Sequence, residues 1–420
     1  MSSTKSLIKK IATTSAVVLT AGTFIATEAA ATEGYFANGI GARSKGMAGA
    51  GVADSKDATA ITLNPAGLVH AGEQLNISAS AFMPFRSYTA ANVPGFVVPG
   101  TEKSKNKFFI IPNFAYSKPI SENTTFGISL SGNGGMNTEY KKFPGVFNSG
   151  NAGIDLIQMN LTAGLGHKFN QYFSIGVAPI LTMQRFKAKG LGTFIGLSSD
   201  PANLTNRGYS YSFGAGARIG AEFAPAENLR VGVSFQTRTY MSRFKKYAGL
   251  FAERGDFDVP ANFQIGVAYD VTPDLTFNFD IKHIMFSNVK SIGNQFSFLP
   301  ANLGTTAGTG FAWKDVTTFK FGAEYNATEA LTVRAGYSYN TQPIRKNSAQ
   351  LALNILAPAT SQHHITGGAS YKFNENSQFD FAVMFSPSTK VSGFGPAGLQ
   401  PISVKMHQLE VTAGYTYNFN

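Results

Sequence analysis

Short segments in which apolar and polar residues alternate recur along this chain, and they limit its fold more than any other feature. Leu229, Val231, Val233 and Phe235, for example, are separated by polar or small residues. This alternation predicts a β-strand with one apolar and one polar face. We count fourteen such segments, near residues 74–86, 107–117, 123–134, 156–169, 172–187, 208–224, 228–241, 257–270, 274–287, 311–325, 330–341, 362–373, 377–388 and 404–419.

Composition indicates what these strands build. Only 14% of the residues are charged, whereas 13% are aromatic and 44 are glycine; a soluble domain has charges on about a quarter of its residues. After residue 31 the chain nevertheless lacks an apolar run of the length that a transmembrane helix needs, about 20 residues. We therefore predict an all-β fold, a transmembrane antiparallel β-barrel of about 14 strands that face lipid on one side and a lumen on the other.

The predicted connections alternate in length, which indicates the membrane. Tight links such as VTP and NATEA alternate with long segments at 87–106, 135–155, 188–207, 242–256, 288–310, 342–361 and 389–403. Short periplasmic turns and long external loops are typical of outer-membrane barrels. We therefore expect the protein in the bacterial cell outer membrane, in contact with its lipid and lipopolysaccharide.

Residues 1–31 predict a secretory signal peptide. Three lysines precede a short apolar run at 11–25, and small residues follow up to Ala31. A membrane anchor is the alternative, but threonines and a serine interrupt the run, which is shorter than the span of about 20 apolar residues that an anchor needs. We predict cleavage near Ala31.

A barrel of this size needs something inside it. Eight strands are filled by their own side chains, whereas barrels of about 16 strands leave an aqueous channel. The glycine-rich residues 32–73 precede the first strand and have the right size for a plug, or hatch, and inward-facing glycines of the strands would make room for it. The predicted organisation is therefore a signal peptide at 1–31, an N-terminal hatch at 32–73 and the barrel at 74–420.

One tripeptide in this hatch, Asn64-Pro65-Ala66, predicts a helix start. The side-chain oxygen of Asn64 suits a helix cap, and Pro65 suits the first helical position. An ordinary helix cap is the simplest interpretation of the tripeptide when it is taken alone.

The surrounding stretch, EGYFANGIGARSKGMAGAGVADSKDATAITLNPAGL, resembles the amino-terminal hatch of the FadL/TodX family, in which an Asn-Pro-Ala motif lies in the plug. VPANFQIGVAYDVTPDLTFNFDIKHIMFSN and FGAEYNATEALTVRAGYSYNTQPI are similar to barrel segments of the same family, so the resemblance spans nearly the whole mature chain. It implies passive uptake of a hydrophobic small molecule through an apolar pocket, with a sideways exit into the membrane. Long-chain fatty acids are the first expectation, and aromatic or aliphatic hydrocarbons are the alternative.

In this setting two apolar external loops, 189–204 and 242–255, predict a surface groove for a hydrophobic ligand. Packing of the same side chains on one another, to close the barrel mouth, is the alternative. The groove candidates are Leu191, Phe194, Ile195, Leu197, Tyr247, Leu250 and Phe251.

A deeper pocket is predicted inside the barrel. The second predicted strand, KFFIIPNFAY, is apolar on both faces, so Phe109 and Ile111 are candidates for an apolar lumen pocket. Inward basic residues are candidates for binding a ligand carboxylate, although most of them are expected to pair with inward acids or with the hatch. The basic candidates are Arg218, Arg238, Lys320 and Arg334.

The third predicted strand, TFGISLSGNGGMNTEY, loses its regularity at Gly132, Gly134 and Gly135. Glycine within a strand marks a bulge or a bend. The resemblance implies that a kink in this strand opens a gap in the wall, which makes these glycines candidates for a lateral gate. An ordinary strand edge beside a loop is the alternative.

Other classes of function find less support in the sequence. We predict no enzyme activity, catalytic residue, metal site or cofactor, because His167 and His283 have no evident orienting group for a lipase and the neighbours His363 and His364 point to opposite faces of a strand. A water-filled general porin is the rival from another class. The formal net charge of +11 comes from scattered residues, so we predict no nucleic-acid partner.

Overall fold

One antiparallel sheet closes on itself to form the body of the protein. The structure, a computed structural model, describes residues 32–93, 95, 97–141, 151–297, 299–395 and 398–419, so the predicted signal peptide lies outside the described residues. The strands are β1 Gln74–Ala90, β2 Gly100–Lys103, β3 Phe109–Ser121, β4 Thr124–Asn137, β5 Gly153–Asn170, β6 Phe173–Lys189, β7 Ser210–Ala226, β8 Leu229–Gln236, β9 Tyr240–Met241, β10 Asn262–Thr272, β11 Leu275–Ile284, β12 Val316–Asn326, β13 Leu331–Asn340, β14 His363–Lys372, β15 Ser377–Phe394 and β16 Pro401–Asn418.

The wall of the barrel consists of fourteen of these strands, which confirms the predicted number. β2 pairs only with the end of β1, and β9 pairs only with β7. Each of the other strands pairs with its neighbours in chain order, and β1 pairs with β16 from Gln74 opposite Asn418 to Ala90 opposite Ile402. This last pairing closes the barrel.

Side chains alternate between the two faces of the wall as the sequence predicts. In β16, Met406, Gln408 and Glu410 point inward and are buried, whereas the outward Tyr415 is exposed. Outward apolar residues across the wall, among them Ile219 and Ile365, are about half exposed in the isolated chain. Such a continuous apolar surface suits contact with lipid.

The ends of several strands differ from the prediction. β1, β15 and β16 extend further toward the long connections, since β15 and β16 remain paired up to Phe394 opposite Pro401. β12 begins only at Val316, because the preceding Trp313 is buried in loop packing. Alternation of side chains shows where a strand has two faces but does not show where its hydrogen-bonded ladder ends.

The helices that the structure describes are short and are not part of the wall. The α-helices are Gly41–Gly46, Ala60–Leu63, Ala252–Gly255, Lys290–Gly293 and Leu351–Asn354; the 3₁₀ helices are Pro65–His70, Gly192–Leu197, Pro201–Asn203, Lys245–Tyr247 and Phe286–Asn288. In the part of the chain that the structure describes, no helix combines the length and the hydropathy needed to cross a bilayer.

Residues 32–73, which we call the N-terminal segment, contact the inner face of the wall along their length. At the end with the long connections, the long-loop end, Tyr35 packs against Phe286 and Trp313. At the opposite end, His70 reaches Glu222 of β7, with 3.1 Å between Nε2 and Oε2. The segment therefore runs through the lumen from one end of the barrel to the other.

Candidate functional site

The Asn64-Pro65-Ala66 tripeptide begins a 3₁₀ helix, Pro65–His70, inside the lumen. The Oδ1 atom of Asn64 accepts a hydrogen bond from Ala66 N at 3.1 Å, so the predicted cap is present. Its Nδ2 donates to Val52 O at 2.8 Å and to Ala221 O of β7 at 3.2 Å. One fully buried side chain thus caps the helix, holds the N-terminal segment together and ties it to the wall.

Glycines in the strands let the N-terminal segment lie directly on the wall. A Cβ atom added at Gly220 would lie 1.9 Å from Asn64 Oδ1, and one at Gly232 would lie 2.3 Å from Val52 O. Neither position can carry a side chain without moving the segment. Further strand glycines that lie against the segment are Gly127, Gly166, Gly176, Gly322, Gly336 and Gly368.

Ion pairs also join the segment to the barrel. The buried Asp54 carboxylate receives Arg43 at 2.8 Å and Lys56 at 2.9 Å from its own segment, and Arg230 of β8 at 3.0 Å. Arg43 also pairs with Glu324 of β12 at 2.9 Å. Removing one partner from such a buried group leaves an uncompensated charge, which is strongly destabilising.

The start of the segment is held in the same way. Glu33 is fully buried and pairs with Lys282 of β11 at 2.6 Å and with Lys320 of β12 at 2.5 Å. Further along the segment, Lys45 pairs with Glu410 of β16. The N-terminal segment is thus anchored on several sides of the lumen.

Most of the predicted carboxylate-binding cations already have an acidic partner. Lys320 pairs with Glu33, and Arg334 with Glu324 at 2.7 Å. Arg238 lies near the long-loop end and pairs with Asp258 at 2.6 Å. Arg218 donates to the side chain of Gln236, and among the described residues no carboxylate lies within ion-pair distance of it.

The wall separates between β3 and β4. These strands pair from Ser121 opposite Thr124 only as far as Asn113 opposite Ser131. Beyond that point β3 continues along β1 to Phe109, and β4 continues along β5 to Asn137. We call the separation between residues 109–112 and 132–137 the wall gap.

The predicted glycines lie at this gap, and β4 bends inward there. A bulge interrupts its register with β5 between Gly132 and Gly134. All residues from 131 to 138 are buried, whereas in the first half of β4, next to the short turn, buried residues alternate with more exposed ones. The free edge of β4 pairs instead with the N-terminal segment, since Ala37 N donates to Asn133 O at 3.0 Å and Gly135 N donates to Tyr35 O at 3.1 Å. Backbone groups that the missing β3 ladder would leave unpaired are thereby satisfied.

Phe109 and Ile111 point into the lumen beside the wall gap, as expected for pocket candidates. They are 4% and 1% exposed and pack with Phe82 of β1 and Met384 of β15. The inner side of the gap is therefore apolar.

The expected surface groove needs a correction. Leu191, Phe194, Tyr247, Leu250 and Phe251 are buried, so they do not line an open groove. Leu197 is partly buried against the same cluster, and Ile195 alone of the seven candidates is exposed. The alternative from the sequence holds, because apolar side chains of several loops escape water by packing on one another.

We call this packing at the long-loop end the loop cluster; it also includes Phe257, Phe286, Trp313, Leu356 and, from the N-terminal segment, Tyr35 and Phe36. Within it Leu191, Leu250 and Phe251 line a narrow apolar cleft together with Phe186 and Phe311. The cleft has room for only about one water molecule. A ligand could enter there only if the loops move apart.

Sequence reasoning missed a second small cavity, next to the wall gap. Its lining includes Met136, Trp313, Leu356 and Met406, and the one cationic side chain among its lining residues is that of Arg86. Arg86 ends the first predicted strand and has the inward phase of the alternation, which is the signal that could have identified it.

Comparison with known proteins shows which family and which relatives this chain is similar to. The sequence profile of the family described as "Outer membrane protein transport protein (OMPP1/FadL/TodX)" matches residues 22–395. The 47 kDa outer membrane protein of Pasteurella multocida (strain Pm70) is 24% identical over 372 residues, which cover 80% of this chain and 82% of that protein.

Solved structures share the fold. The Pseudomonas putida toluene transporter TodX matches with a TM-score of 0.69 and 20% identity, over 91% of this chain and 99% of that chain. A Pseudomonas aeruginosa FadL homologue matches with a TM-score of 0.67 and 15% identity, over 92% and 100% of the two chains. At these identities the likeness concerns the fold alone.

Proposed function

Because this chain belongs to the OMPP1/FadL/TodX family of outer-membrane transport proteins, we propose that it takes up long-chain fatty acids without an energy source and releases them sideways through the wall gap. That it is an outer-membrane transporter of hydrophobic compounds follows from the family. The ligand, the route and the role of the N-terminal segment as a hatch are the proposal.

The wall gap carries this proposal. An apolar ligand gains about 0.8 kcal/mol for each CH₂ that it buries, so release into periplasmic water would lose that gain, whereas release into lipid would keep it. The gap offers such an exit, with Phe109 and Ile111 on its inner side. The N-terminal segment, as the proposed hatch, would oppose an axial exit toward the periplasm.

Entry is proposed at the loop cluster. Leu191, Leu250 and Phe251 line the apolar cleft in the loop cluster, and parting of the loops would expose them to a ligand from outside. The cavity beside Arg86 lies between the loop cluster and the gap, since it shares Trp313 and Leu356 with the first and Asn137 with the second. We propose that a ligand passes these places in this order.

Hydrocarbon uptake is the second candidate. Lys320, Arg334 and Arg238 are occupied by carboxylates of the chain, so these three cations give no preference for an acid over an uncharged ligand. The fold match to a toluene transporter supports this alternative. Uptake of radiolabelled palmitate and of radiolabelled toluene by the same cells separates the two.

A general porin is less compatible with the lumen. Glu33, Asp54 and Lys45 hold the N-terminal segment inside the barrel through buried ion pairs. We expect low ion conductance in a planar bilayer, and stable conductance of porin magnitude would overturn the hatch assignment.

A disulfide across the wall gap tests the lateral route. The natural chain has no cysteine, so Ile111→Cys combined with Asn133→Cys introduces a unique pair that can bond only when the gap closes. The oxidised variant should lose at least about 90% of palmitate uptake, a tenfold effect that corresponds to about 1.4 kcal/mol, and a reductant should restore it.

The matched control is Asn113→Cys with Ser131→Cys, because these residues already lie opposite each other in the paired part of β3 and β4. That disulfide should leave uptake unchanged. Normal uptake through the oxidised Ile111/Asn133 variant would exclude the lateral route and favour a periplasmic exit.

A further inference from the structure

Arg86 joins the two edges of the wall gap at its long-loop end. Its Nη1 donates to the carbonyl oxygen of Asn137, the last residue of β4, and its Nη2 donates to the carbonyl oxygen of Asn106, just before β3. A further hydrogen bond, from Asn106 Nδ2 to Asn137 Oδ1 at 2.8 Å, joins the same two edges. Arg86 thus acts as a bridge across the top of the gap.

The bonding of this arginine is incomplete. Arg86 is buried, with 6% of its surface exposed. Among the described residues its Nε has no hydrogen-bond partner, and no carboxylate lies within ion-pair distance of the guanidinium. The cations Arg43, Lys45 and Lys320 elsewhere in the lumen each have a carboxylate. A buried guanidinium that is bonded only to neutral carbonyls lacks the charge that would compensate it.

The surroundings of Arg86 suit the head of an apolar acid. The guanidinium lies 5.6 Å from the ring centroid of Phe109 at the inner side of the gap. On its other side the small cavity is lined by Met136, Trp313 and Met406. A cation set in an apolar lining offers one contact for a charged head group and dispersion contacts for a chain.

We propose that Arg86 binds the carboxylate of an apolar acid and that this binding breaks the bridge across the wall gap. The proposal rests on the proposed function. A carboxylate approaching the edge formed by Nε and Nη2 makes two parallel charge-assisted hydrogen bonds. It uses the free Nε and replaces the Asn106 carbonyl on Nη2, while Nη1 keeps its bond to Asn137.

The exchange favours the ligand, because the carboxylate supplies the compensating charge that the neutral carbonyls lack and makes two parallel hydrogen bonds in place of one. The segment before β3 then keeps the Asn106–Asn137 side-chain bond and, just beyond β4, the bonds of Ser104 and Lys105 to Glu139, so the exchange weakens the link between the two edges of the gap without removing it. An uncharged chain cannot make this exchange. The acid therefore loosens the long-loop end of the exit that it uses, and Arg86 determines the preference for acids.

Binding of two ligands of equal chain length tests the assignment. In the detergent-solubilised protein, Arg86→Met should lower the affinity for palmitate about tenfold or more and leave the affinity for hexadecanol unchanged, since methionine keeps much of the packing but has no donor. Arg86→Lys keeps the charge without the side-on pair of donors and should give an intermediate loss. Heat-modifiable migration in electrophoresis shows that each variant has folded.

Hydrogen exchange tests the opening. Palmitate, but not hexadecanol, should speed amide exchange at residues 104–112 of the wild type and should have no such effect in Arg86→Met. An unchanged ratio of palmitate to hexadecanol affinity in Arg86→Met overturns the assignment, as does loss of that ratio in Arg218→Met instead. The proposed function would fail separately, by absence of palmitate uptake in wild-type cells.

Discussion

Two stretches of the wall meet the same N-terminal segment in opposite ways. Between β11 and β12 the ladder is continuous from Leu275 opposite Tyr325 to Ile284 opposite Val316, and charged side chains such as Lys282 and Lys320 hold the segment. Between β3 and β4 the ladder stops at Asn113 opposite Ser131, and the segment is held by two backbone hydrogen bonds.

This difference indicates which contacts anchor the N-terminal segment and which contacts can break when the gap opens. Buried ion pairs cost several kcal/mol to break, whereas a net backbone hydrogen bond contributes only about 1 kcal/mol. The segment can therefore stay fixed on the β11–β12 side while its contact with β4 changes. Motion should be confined to the side where the exit is proposed.

The largest effect is expected on the anchored side, from Asp54→Asn. The substitution removes the carboxylate that Arg43, Lys56 and Arg230 share, although each cation keeps a second acid, Glu324 or Asp270. Loss of these charge-assisted bonds should destabilise the docking of the N-terminal segment by about 3 kcal/mol. Ion conductance through single barrels in planar bilayers should rise.

The control for this variant is Glu73→Gln, which removes the exposed pair of Glu73 with Lys118; exposed pairs contribute about 0–1 kcal/mol. Equal conductance of the two variants would mean that the ion pairs do not anchor the segment.

The next effect is expected at the gap, from Gly134→Ala. Its Cβ would lie 2.1 Å from Tyr35 O, so the segment must leave the edge of β4 at a cost of about 1–3 kcal/mol. Palmitate uptake should fall, and amide exchange at residues 34–38 should increase.

Gly367→Ala is the matched control in an intact part of the wall, because the nearest atom to its Cβ, Arg334 O, lies at 3.9 Å. If both alanine variants transport normally, close contact between β4 and the segment has no part in uptake.

A smaller effect is expected from Asn64→Ala. Loss of the cap should cost about 1 kcal/mol, and loss of the bonds to Val52 and Ala221 should loosen the segment and reduce uptake without affecting assembly of the strands. Asn64→Ser keeps a capping oxygen but lacks the two donors, so it separates these contributions. Wild-type uptake in a folded, heat-modifiable Asn64→Ala protein would exclude the motif from the mechanism.

The smallest effect is expected from pH, in the external loops. Burial and, to a smaller extent, the neighbouring Asp258 raise the pKa of Asp256 to about 6, against the opposing effect of Arg238. Because the folded pKa lies above the usual value of 3.8, this group's contribution to stability is full below pH 3.8 and is lost as the pH rises through about 6.

Hydrogen exchange of residues 238–261, corrected for the intrinsic rate, should therefore be slower at pH 5 than at pH 7. Asp256→Asn should remove this difference. A pH dependence that persists in the variant would assign it to another group.

Alternation and composition were sufficient to predict the fourteen-stranded barrel, because each inward or outward position is encoded locally in the sequence. Local signals also indicated the Asn64 cap and the irregularity at Gly132 and Gly134. Whether a cation such as Lys320 is paired depends on Glu33, far away in the chain, so sequence reasoning left both possibilities open.

Whether Leu191 and Tyr247 line a groove or pack on one another stayed open for the same reason, since their burial depends on how several loops meet at one end. Arg86 was overlooked because alternation shows that it points inward but does not show that its carbonyl partners belong to two different strand edges. Those partners, Asn106 and Asn137, become neighbours only after the wall has formed.

The ion pair between Lys45 and Glu410 also constrains the order of folding. The two residues are 365 positions apart, so the first part of the segment must wait for the last strand to be made before it gains its partner. Contacts of such long range form late, after the loop entropy between them has been overcome. We therefore expect this part of the segment to dock only as β1 closes on β16.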